Sequence, residues 1–186
     1  IISREGQRGM EYSAWGNPGN PPEHEPNLVF TRLLAGPMDY TPGIFGMETR
    51  SPGGVQTTWA KQLALYVVIY SPIQMAADLL VNYEANPGPF QFIKDVPVDW
   101  AETRVLAAEM GDYVVIARKD RASDVWALGA VTDEHPRVLS APLDFLDAGR
   151  RYRAEIYRDG PDADYKGKRE DIVICLLYTS PSPRDS

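Results

Sequence analysis

Between Asn27 and Gly36 the apolar residues Leu28, Phe30, Leu33 and Leu34 return at helical spacing, and Gly36-Pro37 ends the run. Ahead of it, Ile1 to Glu11 reads as a short extended segment, followed by the loop "WGNPGNPPEHEPN", rich in turn-forming Gly, Pro and Asn. "MDYTPG" reads as a brief strand closed by a Pro-Gly turn, and "IFGMETRSPGGVQ" as another loop. A longer helix follows. Thr57 or Thr58 can cap it, and Trp59, Leu63, Tyr66, Val67 and Tyr70 recur every three or four residues, a wide apolar face suited to a sheet. Pro72 is expected to kink or restart it before "IQMAADLL".

After about Gly88 the pattern shortens. "TRVLAAEM", "DYVVIARKD", "DVWALGAVT", "RVLSAPL" and "RRYRAEIYRD" are runs rich in β-branched and aromatic residues, parted by "KDRASD", "TDEHP" and "LDAG". They predict an antiparallel meander or small sandwich with Tyr113 and Trp126 in its core and "ARKDR" as a solvated edge. Strand-helix alternation followed by strands alone predicts α/β plus all-β architecture. The boundaries are residues 1–94 and 95–174, with the join near Asp95 to Trp100. "CLLYTSPSPRDS", residues 175–186, follows neither pattern and resembles translated sequencing-adaptor read-through, so it is expected to lie outside the fold.

Composition narrows the function classes. The chain has 186 residues, 44% hydrophobic and 24% charged, enough apolar side chain for a core. Its formal charge of -7, with no Lys/Arg stripe, argues against nucleic-acid binding. The single cysteine, Cys175, excludes a disulfide framework and a thiolate metal site. The longest apolar run, "LALYVVIY", falls far short of the ~20 residues that cross a bilayer. The first residue is not methionine and the chain opens inside a motif, so it is expected to be a fragment.

The candidate chemistry lies in "SREGQRGMEYSAWG", where Glu5 and Glu11 stand six residues apart with Trp15 close behind. Paired carboxylates perform glycoside hydrolysis and also bind hard cations. On spacing alone, two ordinary surface glutamates are the commoner arrangement. Aromatic neighbours, which suit sugar rings, shift that balance only a little.

Longer blocks add to it. "SREGQRGMEYSAWG", "GNPPEHEPNLVFTRLLAGPMDYTPGIF", "KQLALYVVIYSPIQMAADL" and "FQFIKDVPVDWAETRVLAAEMGDYVVIARKDR", in this order, resemble signature blocks of glycoside hydrolase family 97. The resemblance runs from Ile1 to about Ile174. It implies a bacterial, periplasmic or secreted, exo-acting α-glucosidase or α-galactosidase that takes oligosaccharides. It also implies the C-terminal part of a (β/α)8 barrel, residues 1–94, followed by an antiparallel β-sandwich-like domain. "IISREG" would end the seventh barrel strand and "GPMDYTPG" would hold the eighth, with the active site at their C-terminal ends.

By the same resemblance Glu11 is the general acid, which must hold a proton and deliver it as the glycosidic bond breaks. Glu5 is a calcium (Ca2+) ligand, and further ligands and the second carboxylate would come from upstream strands. Trp15, His24 and Asp39 are substrate-binding candidates. Each has a structural alternative: packing beneath the Pro-rich loop for Trp15, loop stabilisation for His24, a hydrogen bond to the adjoining loop for Asp39. Trp59, Tyr66 and Tyr70 are expected to be core. The rival reading is a non-catalytic carbohydrate-binding or structural remnant. Two barrel strands cannot close a barrel, so the chain alone is expected to be inactive and only partly folded, its β-domain the part most able to fold by itself.

Overall fold

The computed structural model describes residues 4–5 (backbone only), 8–46 and 54–178. A short parallel pair comes first: β1 (Arg4–Glu5) beside β2 (Met38–Asp39), with Arg4 opposite Met38 and Glu5 opposite Asp39. Parallel strands need a crossover. Here it is made of α1 (Met10–Trp15), α2 (His24–Phe30) and a 3-10 turn at Arg32–Ala35. This is the strand-helix-strand order expected from the sequence, although a closed barrel is not seen among the described residues.

Helix α1 takes the place of the end of the expected extended segment and the residues leading into the loop. Six residues are too few to be helical on propensity, and tertiary burial of Met10 and Ser13 holds them instead. Helix α2 begins at His24, earlier than its apolar run. Pro26 is accommodated in the first turn, where no intrahelical N–H is called for.

The next helix, α3 (Trp59–Val68), is capped by Thr58, whose Oγ1 accepts the Lys61 N–H at 3.2 Å. Leu63, Leu65, Tyr66, Val67 and Val68 are all buried, so α3 is covered on nearly every side. Trp59 and Tyr70, expected in the core with Tyr66, are only half-buried. The helix ends before Pro72. After an irregular stretch come α4 (Leu80–Ala85) and α5 (Pro87–Asp95). The Pro-Gly-Pro run at 87–89 forms the first turn of α5, where proline is pre-organised.

The strands that follow form two antiparallel sheets. β3 (Trp100–Glu109), β4 (Tyr113–Asp120) and β5 (Trp126–Thr132) make a meander, and β6 (Arg153–Asp159) pairs with β7 (Ile172–Tyr178). The segment 137–143, expected as a strand, is irregular, bracketed by Pro136 and containing Pro142, neither of which can donate to a ladder. β7 carries the fold to Tyr178, past the boundary expected at Ile174, with Cys175 opposite Ile156 and Leu177 opposite Ala154. Backbone pairing along an edge does not depend on side-chain pattern, so the pattern gave no sign of it.

One face of the meander lies on α3. Val114 sits opposite Val131, and Ile116 opposite Gly129, where an added Cβ would come 2.8 Å from the Val67 Cβ and 2.9 Å from the Ala64 carbonyl oxygen. Glycine at 129 permits this close approach. Val114 to Arg118, with Trp100, Gly129 and Val131, are buried in the sheet, while Tyr113 and Trp126 are half-buried. Tyr113 lies under the Arg137 guanidinium and Trp126 against Phe145.

Arg118, read as part of a solvated edge, is buried. Its guanidinium donates to the Val67 carbonyl at 2.6 Å, the Val68 carbonyl at 3.2 Å and Thr103 Oγ1 at 2.8 Å. The two carbonyls belong to the last turn of α3 and lack helical partners, so a cation completes them and complements the helix dipole. Burial pushes the guanidinium down to about 10.

The two expected units share one core. Met10, Leu28, Met38 and Tyr40 join Leu65 and Val68 of α3 and Ile69 just past its end, which join Val114, Ile116 and Val131 of the meander. Residues 95–174 alone would expose that last group, so the β-region depends on α3 for its buried face.

Candidate active site

The chain after β1 turns sharply at Arg8, a non-glycine residue in the left-handed region (φ 58). Two side chains of the Pro-rich loop hold this turn. His24 Nε2 lies 2.7 Å from the Arg8 carbonyl oxygen, and Asn20 Nδ2 donates to the Gly9 carbonyl at 2.9 Å and more weakly to that of Arg8. The Arg8 guanidinium reaches back to the Gly19 carbonyl and covers the Tyr12 ring. The Met10 N–H then donates to the Tyr40 carbonyl at 3.1 Å, tying the start of α1 to the chain just past β2. Glu11 therefore stands beyond the C-terminal end of β1, beside the C-terminal end of its parallel neighbour.

Glu11 lies in the first turn of α1, half-buried, with its carboxylate folded over Gly9. A Cβ built on Gly9 would come 2.7 Å from Glu11 Oε2.

Beneath the loop is a buried charged network. Tyr40 donates its hydroxyl to Glu25 Oε1 at 2.7 Å, and Lys61 Nζ of α3 lies 3.2 Å from Glu25 Oε2. Lys61 also donates to the carbonyls of Pro22 at 2.6 Å and Thr132 at 2.9 Å. The side chains of Lys61 and Glu25 are only 10% and 3% exposed. Burial, and then the Glu25 carboxylate, pushes the Tyr40 hydroxyl well above its ordinary range, so it acts as a donor. This network joins the site loop to α3 and to β5.

The expected site residues are placed unequally. Glu11 and His24 both lie at the Arg8–Gly9 turn, where the His24 Nε2 is engaged with backbone, the loop-stabilising alternative. Asp39 is half-buried, and its Oδ1 accepts the Thr41 hydroxyl at 3.2 Å across a turn in which Thr41 has φ 57. That is the structural alternative for Asp39. Trp15 is 66% exposed, so the Pro-rich loop does not cover it. The backbone of Glu5 is paired opposite Asp39, while its side chain lies outside the described residues.

Asn20, Glu25 and Lys61 were not picked out from the sequence. Glu25 had a signal, since it precedes Leu28 by one helical turn and so lies on the apolar side of α2. Away from this loop, Asp133, Glu134 and His135 bring three possible ligand atoms within 4.8 Å, but Asp133 is already engaged by Arg137.

Residues 99–176 match the family described as glycosyl-hydrolase 97 C-terminal, oligomerisation. The chain is similar to a glycoside hydrolase family 97 enzyme from Pseudoalteromonas, solved as a variant with panose (52% identity) and with acarbose (53%). In both cases 97% of this chain and 29% of that one are covered, at a TM-score of 0.90. It is also 35% identical to a retaining alpha-galactosidase of Bacteroides thetaiotaomicron over 90% of this chain and 26% of that protein. The chain thus spans little more than a quarter of these relatives. The similarity reaches across the Glu11 loop as well as the C-terminal strands, and the chain belongs to glycoside hydrolase family 97.

Proposed function

We propose that the full-length protein is an exo-acting α-glycoside hydrolase, with Glu11 as its general acid. What supports this is the extent of the similarity to an enzyme solved with panose and acarbose. It takes in 97% of the chain, including the turn that carries Glu11. Substrate would enter at the C-terminal ends of β1 and β2, where barrel enzymes place their chemistry. Glu11 would give its proton to the departing glycosidic oxygen, and the second carboxylate would come from elsewhere in the protein. Trp15, exposed at the end of α1, offers a ring face for stacking on a sugar. His24 supports the site by holding the Arg8 backbone, and Asp39 by accepting the Thr41 hydroxyl.

Panose is an oligosaccharide of α-linked glucose, so α-glucosides are the favoured substrates. The curated relative named as a retaining alpha-galactosidase favours α-galactosides as the second reading. The family's α-glucosidases invert and its α-galactosidases retain configuration, so the anomer first released reports on both questions.

Calcium belongs to this reading. It takes roughly six to eight hard oxygen ligands. The register of the parallel pair sets Glu5 beside Asp39, so two carboxylate-bearing residues adjoin at the strand ends. By the family resemblance Glu5 is the residue of this chain that would bind the ion, alongside ligands from other parts of the protein. Bound there, calcium would supply positive charge that orients a sugar hydroxyl. The C-terminal sheets would serve subunit association, in keeping with the family description, in a periplasmic or secreted enzyme.

The test is turnover of nitrophenyl α-glucoside and α-galactoside by the full-length protein, with and without a chelator. Release from the glucoside, lost on chelation and restored by calcium, is the expected result. No release from either substrate would overturn the reading.

A further inference from the structure

We propose that Gly9 is a positioning residue, whose missing side chain leaves the space in which the Glu11 carboxylate rests. The inference rests on Glu11 being the general acid.

Glycine is not needed at position 9 for its backbone. With φ -65 and ψ -170 the residue is in an extended conformation open to any L-amino acid. The turn that does require a left-handed residue is one place earlier, and it is filled by Arg8. Nor is glycine needed to clear the fold. Of the atoms an added Cβ would meet, the Tyr40 carbonyl oxygen is at 3.7 Å, an ordinary contact, and only Glu11 Oε2, at 2.7 Å, is too close. The obstacle to a side chain at 9 is therefore the carboxylate itself, the free end of a flexible side chain. A methyl group there displaces the carboxylate and leaves the backbone alone.

The surroundings fix the reference frame. The Gly9 carbonyl is held by Asn20 Nδ2 and by the Tyr12 N–H at 3.1 Å, and the Met10 N–H by the Tyr40 carbonyl. The α-carbon of Gly9 is thus clamped on both sides, and Glu11 is seated against a fixed wall. Proton delivery depends on the donor's position to within a few tenths of an ångström, so a shift forced by one methyl group is felt in catalysis. Gly16, at the other end of α1, is a different case. A Cβ there would meet the Tyr12 backbone oxygen at 2.4 Å and the Tyr12 ring at 2.7 Å, a collision with the fold.

The experiment uses the full-length protein with Gly9→Ala, Glu11→Gln and the double variant. Each is assayed on an α-linked oligosaccharide, whose leaving group needs a proton, and on the α-glycosyl fluoride, whose leaving group does not. Glu11→Gln is expected to lose about 10²- to 10⁴-fold on the oligosaccharide and little on the fluoride. Gly9→Ala is expected to lose at least about 10-fold on the oligosaccharide alone, and to add nothing in the Glu11→Gln background.

An equal effect of Gly9→Ala on both substrates, or an undiminished effect beside Glu11→Gln, would overturn the positioning role while Glu11 stands. Equal losses on both substrates in Glu11→Gln itself would overturn the acid assignment instead. Loss of folding in Gly9→Ala, read by its melting transition, would also overturn the inference, because the methyl group is argued to meet the carboxylate alone.

Discussion

Replacing Lys61 by Met tests whether the buried ion pair organises the site loop. Methionine keeps the length and apolar stem of lysine but removes its charge. Glu25, 3% exposed, would then retain only the Tyr40 hydroxyl, while the Pro22 and Thr132 carbonyls would each lose a donor. Removing one partner of a buried pair costs about 3–5 kcal/mol, because the other charge is left unmatched. The three severed links place this variant within that range. A local loss of about 4 kcal/mol corresponds to roughly 10³-fold faster amide exchange in the peptides covering 20–30 and 57–68, wherever exchange follows local opening. Hydrogen exchange read by mass spectrometry on the full-length protein resolves it. Adding Glu25→Gln should restore at least about 1 kcal/mol, since the amide oxygen still accepts from Tyr40 and no charge is stranded. Exchange slowed or unchanged in Lys61→Met, or strict additivity in the double variant, would refute the reasoning.

Two further perturbations address other parts of the fold. Gly129→Ala brings a methyl group against the Val67 Cβ and the Ala64 carbonyl, so β5 must move off α3. A cost of about 1–3 kcal/mol is expected, seen as a lower melting temperature. The Asp133 carboxyl is held well below the usual carboxylate range, first by the hydrogen bond from Arg137. Its contribution to stability is present above the unfolded carboxyl's range, near pH 4, and is lost as pH falls through the depressed folded value. Asp133→Asn should therefore melt several degrees below the parent at pH 7, about 3 °C or more, with the gap closing as the solution is acidified toward pH 2.

Much of the fold could be read from periodicity. The Trp59 helix, its Thr58 cap, the brief strand at Met38 and the β4 and β5 strands all follow apolar spacing bounded by turn residues. What escaped are features decided by tertiary contact. Helix α1 is too short to have a period, α5 begins in a Pro-Gly-Pro run, and β7 continues by backbone pairing alone. Arg118 looked solvated because its partners, the last carbonyls of α3, lie some fifty residues away in sequence. At the site, Glu11 and His24 were identifiable as residue types in a motif. The Gly9 space and the Glu25–Lys61 pair depend on which atoms meet across loops, which spacing does not encode.

The central claim is that Glu11 faces the bond being broken. A crystal structure of the full-length protein with a slowly cleaved α-glycoside tests it directly. The account predicts a Glu11 carboxyl oxygen within about 2.6–3.2 Å of the glycosidic oxygen, with the carboxyl still against Gly9. A sugar bound elsewhere, or a Glu11 side chain turned away from the glycosidic oxygen into bulk solvent, would contradict it.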